Sequence, residues 1–186
     1  MGSSHCVNAV AEILISAGIN TEATPDIQSL QWSKFVLWVA YTLIAVITRL
    51  ATYRFLSDEH TSLLCVRIMR EMATIANHRA ISLKDVGMPV LSVVDDTEEK
   101  ALMTLTQLGR ELEHSAPDHK MSALQDLESG KKLEIEETLG YAVSEALKLD
   151  LAVPILDVCY GLITVSYTHL RAHETSLHLV CRLLLE

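Results

Sequence analysis

The chain has 186 residues, 49% of them hydrophobic, with only 7 glycines, 4 prolines and a formal net charge of −9. That length holds one domain with a sizeable core, and the composition favours an all-α bundle of about six to eight helices. The acidic balance excludes a nucleic-acid binder, since no basic stripe faces phosphates. Four cysteines, at positions 6, 65, 159 and 181, form no CxxC pair, which points to reduced thiols in a cytoplasmic protein.

In chain order, an amphipathic run from Val7 to Ala17 ends at Gly18. It lacks the basic start and small-residue cleavage site of a signal peptide. The stretch from Phe35 to Ile47 is the most apolar of the chain, and the uncharged run spans residues 35–48, between Lys34 and Arg49. A bilayer helix needs about 17–25 such residues. A run this short and apolar on every face is expected as a buried central helix over 32–50. The rival is a small membrane-associated protein built on 35–47, which requires that helix to be peripheral.

A long helix is expected from Asp58 to Ala80, capped by Ser57 or Asp58, with an inward stripe of Leu63, Val66, Ile68, Met69, Met72, Ile75 and Ala76. Residues 81–89 read as a connector, Asp95 and Asp96 precede a helix over 97–112, and 114–119 form a polar loop. His114 and His119, five residues apart in that loop, are expected to be solvated rather than metal ligands.

Ser122-Ala123-Leu124-Gln125 fits a capping box, with the Ser122 hydroxyl at the N-cap and the Gln125 amide three residues on. The short helix it opens should stop at Gly130, the residue suited to a left-handed helix end. After Lys131 and Lys132 a second helix buries Ile135, Leu139, Ala142, Val143, Ala146 and Leu149, leaving Glu134, Thr138 and Tyr141 off the stripe. Val153-Pro154 opens a last helix carrying Tyr160 and Leu162.

From Ser122 to Gly140, the order Ser122, Gln125-Asp126, Gly130, Glu134-Ile135 and Gly140 resembles the signature of the ketopantoate reductase (2-dehydropantoate 2-reductase) C-terminal domain. That family reads roughly S-S-M-x-Q-D, then G-R-x-T-E-I-D, then N-G. Met121, Ala123, Glu136 and Leu139 stand here for its first serine, methionine, aspartate and asparagine. Trp32-x-Lys34, Glu71 ahead of Ala76-Asn77, Ala17-Gly18-Ile19 and the Val153-Pro154 turn resemble further family features.

The resemblance implies a helical bundle like the C-terminal domains of ketopantoate reductase and 6-phosphogluconate dehydrogenase-like enzymes. It also implies an NADP(H)-dependent reduction of a 2-keto acid, with ketopantoate giving pantoate on the way to pantothenate and coenzyme A. By the same resemblance Lys34 is general acid, Glu134 orients the lysine or the substrate, and Ser122 and Thr42 bind substrate. Lys34, Ser122 and Glu134 are expected at helix N-terminal ends, where free N–H groups suit an anionic keto acid. Where the family usually has asparagines four and eight residues after the lysine, this chain has Trp38 and Thr42, which leaves both ketopantoate and another 2-keto acid open as its substrate.

No G-x-G-x-x-G follows a strand pattern, so no residue is assigned to cofactor binding. The expected division is residues 1–20 as the end of a missing N-terminal dinucleotide-binding (Rossmann) domain, 21–164 as the substrate domain, and 165–186 as an artefactual tail resembling a translated sequencing adapter. The tail residues His169, His173, Glu174, His178 and Cys181 are therefore assigned no metal. Such a fragment should not turn over alone; its partners would be the keto acid, the missing domain and a second copy in a homodimer. A helical interaction or oligomerisation module without catalysis is the alternative, and it predicts that Lys34, Ser122 and Glu134 do not converge.

Overall fold

The apolar run over residues 35–48 is the axis of the molecule. In the computed structural model, which describes residues 2–85 and 87–166, it lies within helix α2 (Ile27–Thr48). Val36 and every residue from Val39 to Val46 are buried, and 61% of the helix's most apolar stretch is enclosed by protein. Helices α3 (Thr52–Ser57), α4 (Glu59–His78), α5 (Val90–Asp95) and α7 (Ser122–Glu128) all pack on it. The peripheral position required of a membrane anchor is not where α2 sits. It also starts five residues earlier than expected, with Asp26 at its N-cap position and Arg49 ending it at a left-handed φ of 59°.

Nine helices form among the described residues, and none of those residues is in a strand. The two beyond expectation, α3 and α5, have six residues each, too few for a periodic pattern to declare itself. Asp58 separates α3 from α4 by an extended backbone, and its carboxylate accepts the Thr61 N–H at 2.9 Å. Helix α6 (Glu98–Ser115) begins on Thr97 and packs most closely on α3. Gly109 makes that approach possible, because a Cβ there would stand 2.6 Å from the Ser57 backbone nitrogen.

Helix α7 ends as expected, with Gly130 at φ +68°. Lys131 N–H reaches Asp126 O at 2.8 Å and Gly130 N–H reaches Leu127 O at 3.2 Å, the paired bonds of a Schellman end. Its start differs from expectation. Met121, not Ser122, occupies the N-cap, and the Gln125 amide donates to Lys120 O at 2.8 Å. The capping box fails because Gln125 finds a carbonyl two residues before Ser122, leaving the Ser122 hydroxyl free of the backbone.

After an extended stretch the chain re-enters a helix through a π turn (Glu136–Gly140) that continues as α8 (Tyr141–Lys148). One extra residue per turn shifts the inward face there, and such bulges recur beside functional sites. Pro154–Ser166 forms α9; its N-terminal N–H groups are capped by Glu71 of α4, whose two oxygens accept from Ile155 and Leu156 at 3.0 and 2.8 Å. Val165 and Ser166 extend α9 with exposed side chains. The remaining tail lies outside the described residues, as do His169, His173, Glu174, His178 and Cys181. Helix α1 (Gly2–Ser16) buries Ala11 but leaves Val7, Val10, Ile13 and Ile15 more than half exposed.

Candidate active site

The α2 sequence places Lys34, Trp38 and Thr42 four residues apart, so the three share one helix face. Ser122 begins α7, which packs against that face. Residues 131–134 cross beside it before the π turn. Between these elements lies a cavity of about 200 Å³ lined by Trp38, Thr42, Ser122, Asp126, Lys132, Glu134 and Thr138 over an apolar base of Ala123, Leu133, Ile135 and Leu139.

Three of the four expected site residues thus meet: Thr42, Ser122 and Glu134. Lys34 is exposed and does not line the cavity; it stands one helical turn from Trp38, toward the start of α2. It is the eighth residue of α2 rather than its opening residue, so its own N–H is used within the helix and offers an anion nothing. Ser122 and Glu134 do lie at helix starts.

Thr42 is only 2% exposed, and its hydroxyl has no hydrogen-bond partner. A buried unsatisfied hydroxyl typically costs about 1–3 kcal/mol, and this one lies on the wall of the cavity. Lys132 brings a cation to the same cavity with no ion pair among the described residues, while Lys131 pairs with Asp126 at 3.2 Å. Sequence reasoning passed over Lys132; its only signal was the basic pair after Gly130.

Long-range bonds hold these parts in register. Thr52 N–H donates to His119 O at 2.9 Å, and His119 Nδ1 lies 2.9 Å from Thr52 Oγ1, which ties the loop before Ser122 to α3. Lys120 pairs with Glu128 at 2.8 Å across α7. On the other side, Tyr160 donates to Glu136 at 2.7 Å over Gly140, where an added Cβ would meet the Tyr160 oxygen at 3.0 Å. Burial, reinforced by the Glu136 carboxylate, raises the Tyr160 phenol above its ordinary pKa.

Two other cavities lie near α2. One, of about 160 Å³, is mostly apolar, between Val46, Ile47, Leu127 and Leu162. The other, of about 300 Å³, is open, lies just past the end of α2 and is lined by Arg49, Tyr53, Arg54, Asp118 and Lys120. Neither includes Thr42, Ser122 or Glu134. Among the described residues no group of three or more His, Cys, Asp or Glu side chains could hold a metal.

The family profile described as ketopantoate reductase PanE/ApbA C terminal matches residues 26–166. The chain belongs to the ketopantoate reductase family. Its helical architecture is that of the family's C-terminal domain. Among solved structures it is similar to 2-dehydropantoate 2-reductase from Methylococcus capsulatus, at 26% identity and TM-score 0.68, covering 89% of this chain and 51% of that one. It is also similar to a dimeric ketopantoate reductase from Staphylococcus aureus, at 15% identity and TM-score 0.65, covering 86% and 50%. A third similar structure is D-mandelate dehydrogenase with NADH and anilino(oxo)acetate, at 14% identity and TM-score 0.73, covering 91% and 64%. The chain therefore spans about half the length of the ketopantoate reductases it resembles. No curated protein matches it significantly.

Proposed function

We propose that this chain is the substrate-binding helical half of a cytoplasmic, NADP(H)-dependent 2-keto acid reductase resembling 2-dehydropantoate 2-reductase, an enzyme of pantothenate and coenzyme A biosynthesis. The observation that carries the reading is the meeting of Ser122, Glu134 and the unpartnered Thr42 hydroxyl at one cavity on α2. Ser122 and Glu134 meet as the catalytic reading expects, whereas Lys34 stands outside the cavity, as the alternative of a helical module expects.

The cofactor is read as held on a separate domain, as the family resemblance implies. Residues 1–20 are read as the end of that domain, a reading supported by the exposed Val7, Val10, Ile13 and Ile15 on α1. Bound there, the nicotinamide would supply hydride to the keto carbon. This chain's residues do the rest. Lys132 and Ser122 hold the substrate carboxylate, Thr42 donates to an oxygen of the keto acid, and Lys34 delivers its proton to the oxygen as alkoxide develops. Glu134 orients the lysine or the substrate, the role the family resemblance gives it. The proposed assembly is a homodimer, in line with the dimeric Staphylococcus aureus relative.

The test is made in the two-domain enzyme restored by joining the chain to its cofactor domain. Lys34→Ala should lower kcat by about 10²–10⁴-fold, the usual worth of a positioned general acid, with NADPH affinity unchanged. Near-normal turnover would remove Lys34 from the mechanism. Tight, saturable NADPH binding by the 186-residue chain alone would overturn the division of labour between domains.

A further inference from the structure

We infer that the cavity selects a 2-keto acid with an aryl side chain, and that Trp38 is the specificity-determining residue. This inference rests on reading the cavity as the keto-acid site. Its charged groups are more exposed than its leucine and isoleucine side chains, and the Thr42 hydroxyl is as buried as the latter. Ser122, Lys132 and Glu134 are exposed at the rim, whereas Leu133, Ile135 and Leu139 are buried at the base beside Trp38. A carboxylate at the rim would direct its side chain onto that base.

The indole is held by other rings. It stacks on Phe35 with centroids 6.5 Å apart and planes 16° from parallel. Phe35 in turn meets Trp32 edge-on at 5.7 Å and Tyr141 at 6.0 Å. A ring fixed in this way is preorganised for stacking, so little side-chain freedom is lost on binding. Indole offers one N–H and no acceptor. A hydroxylated substrate chain laid against it would give up water with no acceptor from the ring itself, whereas an aryl group loses nothing there. Size agrees: a cavity of about 150 Å³ takes benzene, and this one offers about 200 Å³. The unpartnered Thr42 hydroxyl, one turn along α2, remains for the keto or carboxylate oxygen.

The experiment is calorimetric titration of the 186-residue chain with phenylglyoxylate and with ketopantoate. Phenylglyoxylate should bind at least ~10-fold more tightly, within the range that one matched apolar contact face achieves. Trp38→Asn should erase that preference, and Trp38→Phe should keep it, which leaves the test sound if the asparagine variant does not fold. Equal or tighter binding of ketopantoate by the unaltered chain, or a preference unchanged in Trp38→Asn, overturns the aryl selection but leaves the keto-acid reading standing. Binding of neither compound by a chain with its full helical signal overturns both.

Discussion

The carboxylate of Glu71 accepts the backbone N–H of Leu156 at 2.8 Å, across 85 residues of sequence. Its second oxygen takes the N–H of Ile155. One side chain of α4 therefore supplies the cap that α9 cannot obtain locally, because Val153 and Pro154 offer no side-chain acceptor. Glu71→Ala should destabilise the chain by about 2 kcal/mol, as for a lost charged cap. Thermal unfolding should shift down by about 4–8 °C, twice the per-kcal/mol shift expected for a domain of this size. Glu71→Gln, which retains one acceptor, should lose less. Equal melting temperatures for all three proteins would show that α9 is held by packing alone.

Two glycine substitutions should act in opposite directions. Gly109→Ala places a methyl 2.6–2.7 Å from the backbone of Ser57 and Leu56, where no flexible side chain can yield. The overpacking cost of about 1–3 kcal/mol should outweigh the gain of about 1 kcal/mol in helix propensity. Gly161 lies in α9 with nothing within 4 Å of a built Cβ, so Gly161→Ala should stabilise by about 0.5–1 kcal/mol. Urea midpoints of the two variants check both signs.

Thr42→Val should separate stability from binding. It removes a buried hydroxyl that has no partner, so the melting temperature should stay level or rise by a few degrees, equivalent to roughly 1 kcal/mol. Keto-acid affinity should fall, because the donor on the cavity wall is gone. A melting temperature well below that of the unaltered chain would mean that Thr42 serves the fold.

Acid should destabilise the fold in a defined window. A hydrogen bond and ion pair with Lys84 lower the Asp26 carboxyl, the Thr61 N–H lowers Asp58, and Arg67 lowers Glu98. Each is depressed in the folded state, so its contribution is present above the unfolded value, near pH 4 for carboxyls. It is lost as pH falls through the folded value. The urea midpoint should be nearly flat from pH 7 to about pH 5 and drop below about pH 4. Asp58→Asn, which can still cap α4 without titrating, should drop less steeply in that acid range.

Contiguous residues carried the long elements. The apolar run of α2, the stripe of α4, the Thr97 start of α6 and the Gly130 stop of α7 all follow from propensity, periodicity or a single backbone requirement. Each of those forces acts within a few turns of chain, and a sequence displays such neighbours directly. The pattern from Ser122 to Gly140 likewise pointed to the family before any fold was available, because the order and spacing of side chains survive in one dimension.

Tertiary structure decided what depends on distant partners. Whether six residues such as Val90–Asp95 form a helix is settled by the α4 and α6 surfaces that receive Val90 and Val93. Gln125 left the capping box for the Lys120 carbonyl, and Glu71 left its own helix to close α9. The site divides in the same way. Thr42, Ser122 and Glu134 were readable as polar side chains in a patterned order. That Thr42 has no partner, that Lys132 joins the cavity and that Lys34 stands a turn outside it are outcomes of packing. Helix propensity acts between neighbours in sequence, whereas burial and the shape of a cavity are set by elements that meet only once the chain has closed on itself.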